Sequence, residues 1–375
     1  MKIIVAFDSF KGTLSAVEAC RIVADAVTAV DPSSSVVVKP MADGGEGTAR
    51  ALMDALSGSW LERLVTGPLP ERKVQAGLVW FAGTKTALVE MASASGLTLL
   101  KPEELNPLVA TTHGTGELIR AAMDHGAQKI LLALGGSATV DGGVGAAGAL
   151  GWRFLDQRGR SIPLGGAGLS QILHILPPER MNKWPPVEAL TDVHNPLLGE
   201  QGAARIFGPQ KGATPDRVET LEAGLQHLAE VVQSELGKDL AGCPGAGAAG
   251  GFGFGAVAFM NAVLVSGIET VMCASGLEES LKQADWVLTG EGSFDRQSLQ
   301  GKVVSGVMRR AKAHGARVAV LAGRVLLTDD EIKAHSIEAA IPCMQSGMVL
   351  DYALAHSREL LHDAASQFAR RYLLK

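Results

Sequence analysis

The segment Val36-Val-Val-Lys-Pro-Met-Ala-Asp-Gly-Gly-Glu-Gly-Thr48 runs a short apolar stretch into a loop that holds two carboxylates among three glycines. The β-branched run predicts a strand, and the glycines predict a loop whose backbone must turn tightly or approach something closely. The same order recurs along the chain. Val5–Phe7 leads into Asp8-Ser-Phe-Lys-Gly-Thr13, Ile130–Leu134 into Gly135-Gly-Ser-Ala-Thr-Val-Asp-Gly-Gly143, and Trp286–Thr289 into Gly290-Glu-Gly-Ser-Phe-Asp295. Ala189–Thr191 and Val318–Ala322 also read as strands. Helical stretches fall between several of them: Ser15 to Val30, Glu46 to Leu56, Glu117 to His125, Val218 to Leu236 and Lys302 to His314. Ser15-Ala-Val-Glu18 is a capping-box pattern at the first. Alternation of this kind predicts an α/β protein with a mostly parallel sheet, its functional loops gathered at the strand ends.

Leu61–Thr66, Lys73–Phe81 and Thr86–Met91 break the alternation, because the short connections between them leave no room for a helix and predict hairpins instead. The expected architecture is a Rossmann-like, flavodoxin-like doubly wound domain over 1–62 and 286–375, interrupted by a second α/β domain with a mixed sheet over 63–285. Two domains agree with 375 residues.

The chain is 47% hydrophobic, with a formal net charge of −5 and no block of Lys or Arg, so it lacks the field that steers a protein to nucleic acid. Cys20, Cys243, Cys273 and Cys343 are far apart, which predicts neither a zinc site nor a disulfide framework and suits a reducing cytoplasm. The apolar run before Asp8 is too short for a signal peptide's core. Cys243 to Ile268 carries no charge over 26 residues and imitates a membrane span. Its first half, Pro244 to Gly255, is mostly glycine and alanine, which predicts a glycine turn feeding a buried helix rather than contact with lipid.

Glycine brings backbone N–H groups close to a phosphate, and carboxylates in the same place repel that phosphate unless a divalent cation lies between. Mg²⁺ supplies such a bridge through one or two carboxylates and phosphate oxygens. Glycine and acid together therefore predict a metal–nucleotide site, although any single Asp-Gly-Gly is also an ordinary turn. Lys11-Gly-Thr13 and Gly301-Lys302 lack the rest of a phosphate-loop pattern. The strings Gly143-Val-Gly-Ala-Ala-Gly148 and Gly245-Ala-Gly-Ala-Ala-Gly250 lack the acid that a dinucleotide fold places about 20 residues on, or the preceding strand. Gly135-Gly-Ser137 is not a hydrolase elbow. Asp192, at a strand end, reads equally as a base or as an Asx-turn acceptor. Lys211, on a Gly- and Pro-rich loop, reads as a phosphate contact or a solvated side chain. His113 reads as a ligand for a substrate carboxylate or as a plain loop histidine.

Taken in series, Asp8-Ser-Phe-Lys11, Pro40 to Thr48, Thr111-Thr-His-Gly-Thr-Gly-Glu117, Gly135-Gly-Ser-Ala-Thr139, Asn195-Pro-Leu, Phe207 to Ala213, Pro244 to Gly251 and Thr289-Gly-Glu-Gly292 resemble the successive signatures of the type I glycerate kinases over nearly the whole chain. The departures are His113 where a tyrosine is usual, Val140 in place of an asparagine, and His194 before Asn195.

The resemblance implies phosphorylation of D-glycerate by ATP, usually at the 2-hydroxyl, with 3-phosphoglycerate as the alternative product. On that basis Asp192, Lys11 and Lys211 are the expected catalytic residues. Gly135, Gly136, Ser137, Gly290 and Gly292 are expected at the nucleotide, and Asp8, Ser9, Thr112, His113 and Asn195 at the substrate. Asp43, Glu46, Glu291 and Asp295 are the expected Mg²⁺ ligands. The expected partner is the small organic acid, not nucleic acid or membrane, and a homodimer is allowed. An NAD-dependent hydroxyacid dehydrogenase using Gly143 to Gly148, or a non-catalytic acid-binding protein, are the competing classes.

Overall fold

The computed structural model describes residues 1–179, 181–299 and 303–374. Lys302, the first residue of the last expected helix, and Gly301 before it lie outside the described residues. The strands of the two main sheets are β1 (Lys2–Val5), β2 (Ser35–Val38), β3 (Ser59–Thr66), β4 (Lys73–Phe81), β5 (Thr86–Glu90), β6 (Lys129–Ala133), β7 (Val187–Leu190), β8 (Val263–Val265), β9 (Trp286–Thr289), β10 (Arg317–Ala322) and β11 (Ala339–Pro342). The principal helices are α1 (Ala16–Val30), α2 (Thr48–Ala55), α3 (His113–Asp124), α4 (Val144–Ala149), α5 (Pro215–Leu236), α6 (Ala248–Met260), α7 (Val303–Ala313) and α8 (Ser357–Tyr372).

Two compact units form. The first comprises residues 1–43, 50–56 and 268–375, and the second 44–49 and 57–267. Both crossings come earlier in the chain than positions 62 and 285. Upstream, β3 pairs along its whole length with β4 of the second unit. Downstream, the helix Gly267–Ala274 sits almost wholly in the first unit.

The first unit is built on an all-parallel sheet in the order β11-β10-β9-β1-β2. Numbered within the unit, that is the 2-1-3-4-5 arrangement of flavodoxin-like folds. β1 shows why a parallel sheet needs cover on both faces: Ile3, Ile4 and Val5 are all fully buried, with no polar alternation. On one face Ile3 and Val5 pack with Ala19 and Val23 of α1 and with Leu361 and Phe368 of α8. The Trp286 ring meets Phe368 edge-on at 5.0 Å, and the Arg317 guanidinium lies 4.3 Å over that indole. α1 begins where the capping box predicts. Ser15 Oγ accepts from Glu18 N at 3.2 Å, and the Glu18 carboxylate accepts from Ser15 N at 3.1 Å.

The second unit has a mixed sheet in the order β8-β7-β6-β5-β4-β3. β3, β4 and β5 are the expected antiparallel hairpins, and β5 through β8 run parallel. The uncharged segment resolves into turn, helix and strand, and among the described residues no helix is long and apolar enough to cross a membrane. Ala249, Gly250 and Gly251 adopt φ of +54°, +68° and +88° at the start of α6, so this entry is bent tightly enough to need glycine.

Ser15→Ala removes one half of the α1 cap. Urea denaturation should show a loss of about 1 kcal/mol with an unchanged circular dichroism spectrum.

Candidate active site

A cavity of about 410 Å³ opens at the C-terminal edge of the first unit's sheet. It lies where the strand order reverses between β1 and β9, the place at which open parallel sheets bind ligands. Each strand delivers residues to it through the loop at its end. β1 supplies Asp8, Ser9 and Lys11, and β2 supplies Asp43. β9 supplies Glu291, Gly292 and Asp295, while Arg324 follows β10 and Met344 follows β11. Acid therefore gathers at one end of this edge, two cations stand with it, and apolar side chains close the other end.

Asp8 senses the crowding most. Burial, then the negative charge of Asp43 and Glu291, push its carboxyl up to about 7, against a hydrogen bond from Ser9 N at 2.7 Å and the positive charge of Lys11.

Of the four expected Mg²⁺ ligands, Asp43, Glu291 and Asp295 line this cavity, and the exposed Glu46 does not. The Asp295 carboxylate is committed to its own turn, accepting from Gln297 N at 2.8 Å and Ser298 N at 3.1 Å. Among the described residues no three His, Cys, Asp or Glu come together as a metal cage. The mutual repulsion of Asp8, Asp43 and Glu291 does fit a cation that needs only one or two protein carboxylates, as Mg²⁺ bound to phosphate does.

The glycines divide by role. A Cβ on Gly290 would stand 1.7 Å from the Leu321 carbonyl oxygen, and one on Gly135 would stand 2.2 Å from the Gly45 Cα. Both are packing glycines that let backbone touch backbone. Gly45 is the partner in that second contact, whereas Gly47, at φ +94° with nothing near a Cβ, is glycine for its turn. Gly292 lines the cavity, and a Cβ at that position would have no neighbour closer than 3.8 Å, while its carbonyl accepts from Arg324 N at 3.1 Å.

In the second unit the expected residues form a buried polar network. Lys211 is only 2% exposed, and its Nζ donates to Ser137 Oγ at 2.6 Å and to the Thr139 carbonyl at 2.7 Å. Burial takes this ammonium down to about 7, opposed by the charge of Asp141. Asp141, fully buried, accepts from Thr112 N at 2.8 Å, Thr112 Oγ1 at 2.9 Å and Gly143 N at 3.1 Å, with longer bonds from Thr111 Oγ1 and Gly145 N. Burial still raises its carboxyl above the usual range.

Thr112 is therefore a buried link between the starts of α3 and α4, its Oγ1 also accepting from Ala146 N at 2.9 Å, and no atom of its side chain is exposed to a substrate. The amide of Asn195 donates to Gln201 O at 2.8 Å within its own loop. His113 starts α3 with a buried Nδ1 that has no hydrogen-bond partner among the described residues. Asp192, after β7, accepts on Oδ1 from Ser266 Oγ at 2.6 Å and Gly267 N at 3.1 Å. Gly143 caps α4, and Gly145 and Gly148 lie within it; a Cβ on Gly143 would meet the Phe252 ring at 2.5 Å and one on Gly145 would meet Thr111 Oγ1 at 2.2 Å, so these two glycines serve packing.

Three residues escape a reading of the sequence. Asp141 sits in an Asp-Gly-Gly that reads as an ordinary turn. Glu90 ends β5 and accepts from Gly47 N at 3.0 Å and Ala49 N at 2.9 Å, fixing the entry to α2. Arg324 follows the strand Val318–Ala322 just as the acidic loops follow theirs, and that position is the available signal.

The chain matches the glycerate kinase family model over residues 3–373. It is 42% identical over 373 residues to a glycerate kinase of Halalkalibacterium halodurans, covering 98% of this chain and 97% of that one. It is 43% identical over 357 residues to a glycerate 2-kinase of Escherichia coli, covering 94% and 93%. The crystal structure of a proposed glycerate kinase 2 from Salmonella typhimurium LT2 superposes with a TM-score of 0.84 at 39% identity, covering 99% of this chain and 98% of the other. Fold and site thus define an α/β kinase. The chain belongs to the glycerate kinase family.

The Asp8 shift has a stability consequence. Its folded-state value of about 7 lies above the ordinary value of 3.8, so between these limits the folded form holds the proton longer and stability falls as pH rises. Asp8→Asn cannot ionise and escapes that fall. Without divalent cation, the variant should exceed the parent by about 1–4 kcal/mol at pH 8, and thermal melts should bring the two together near pH 4.

Proposed function

We propose that the protein transfers the γ-phosphoryl group of ATP to D-glycerate in the cytoplasm, giving 2-phospho-D-glycerate and ADP. The observation that carries this reading is the cavity at the sheet's switch point, where Lys11 and Arg324 accompany the carboxylates of Asp8, Asp43, Glu291 and Asp295. Kinship over nearly the whole chain supports it, as does the name glycerate 2-kinase borne by the Escherichia coli relative.

Phosphoryl transfer asks a protein mainly for positioning and charge balance. Lys11 offsets negative charge on the transferred group, and Gly292 offers backbone at the nucleotide. Mg²⁺ held by Asp43 and Glu291 would neutralise phosphate charge beside those acids. Asp192 accepts the proton of the substrate hydroxyl, its carboxylate oriented by Ser266 and Gly267. Lys211 acts through Ser137 and Thr139, holding the loop from Gly135 to Thr139 in shape. His113, with an unmatched Nδ1, and Asp8 and Ser9 are the substrate contacts of this reading. The packing role of Gly143 and Gly145 speaks against the dehydrogenase.

Phosphorus NMR of a reaction with ATP, Mg²⁺ and D-glycerate tests reaction and position together. A new monoester resonance split into a doublet by the single C2 proton is expected; a triplet would place phosphate on C3, and no new monoester would sink the kinase reading. Asp192→Asn should lower kcat by about 10²–10⁴-fold with an unchanged circular dichroism spectrum.

A further inference from the structure

The cavity in the first unit has two chemically opposite ends, and the strand order sets their sequence along the edge. Asp43, Asp8 and Glu291 follow β2, β1 and β9. Arg324 comes next, after β10, and Met344 last, after β11. Beyond β11, the short helix Leu350–Ala355 completes the wall with Leu350, Ala353 and Leu354. Leu350 and Leu354 are each 46% exposed, so the protein's own core does not cover them. Adjacent strands lie about 4.8 Å apart, which puts about 10 Å between the acid at β9 and the apolar end at β11.

A ligand filling this space needs a charged head at one end and an apolar, flat body at the other. Glycerate has three carbons and no apolar surface, so it cannot use such a wall. A nucleotide can: a purine offers a broad apolar face, and the ribose spans the distance to its phosphates. We propose that this cavity is the nucleotide site of the enzyme. The base lies on Leu350, Ala353, Leu354 and Met344, Arg324 receives the proximal phosphates, and the terminal phosphate points toward Lys11 and the acids. The assignment rests on the kinase reading for the identity of the ligand. It moves the nucleotide away from Gly135, which is packed against the Gly45 backbone, and from Gly136, whose φ of +73° requires glycine for the turn itself.

Titration calorimetry on the full chain tests it with three probes: ADP, inorganic tripolyphosphate and D-glycerate. Leu354→Glu puts a charge on an exposed position of the base wall. It should raise the Kd for ADP at least tenfold, about 1.4 kcal/mol, while leaving tripolyphosphate and D-glycerate within twofold. Arg324→Ala should weaken ADP and tripolyphosphate alike. A parent that binds no ADP, ADP binding indifferent to Leu354→Glu and Ala353→Glu, or a loss confined to D-glycerate would each overturn the proposal. The two readings fail separately. ADP binding that responds to these variants without glycerate phosphorylation leaves the nucleotide site standing and removes the acceptor. Phosphorylation with unaltered ADP binding leaves the kinase standing and removes this site.

Discussion

A carboxylate taken wholly out of water must be answered by donors, and Asp141 draws its donors from two distant stretches of chain. Thr111 and Thr112 arrive with the start of α3, and Gly143 and Gly145 with the start of α4. The geometry at the base of both helices follows from this single charge. Its influence extends to Lys211, a buried ammonium that Asp141 helps to keep charged and that in turn fixes Ser137 and Thr139. One partner removed would leave the other buried and unmatched, which is the costly way to break such a network. The positions of His113 and the Gly135 loop are therefore inherited from a group that need not touch any ligand.

Glycine does two kinds of work in this chain, and the sequence does not separate them. Gly290 and Gly135 are small because another backbone lies where a side chain would go. Gly292, two residues beyond Gly290, faces the cavity instead. Both kinds follow strands and both sit beside acids, so local pattern reads them alike. The distinction depends on what arrives from elsewhere in the fold.

That is also the boundary of what is legible. The capping box at Ser15 and the hairpins from Ser59 to Glu90 depend on residues near one another in sequence, and they appear as read. Asp8, Asp43 and Glu291 are legible as strand-end acids because a parallel sheet sends all such loops to one edge. Thr112 and Asn195 are not, since their partners at Asp141 and Gln201 decide whether a polar side chain faces inward or outward. Asp295 illustrates the opposite case, since its Oδ1 is held by the amides of its own turn, a contact between residues close in sequence. Arg324 stands at a readable place but carries no glycine–acid signature.

The first unit's sheet joins as neighbours two strands that are far apart in sequence. Lys2 and Asp285 are hydrogen-bonded 283 residues apart, and Ile3 sits between Val36 and Trp286. On a ribosome adding about 5–20 residues per second, β1 waits on the order of 15–60 s for β9 to emerge. Every strand of the intervening sheet has by then been made. The apolar residues of β1 thus have α1 and β2 as early cover but lack their neighbour on the other side until the whole second sheet has been synthesised.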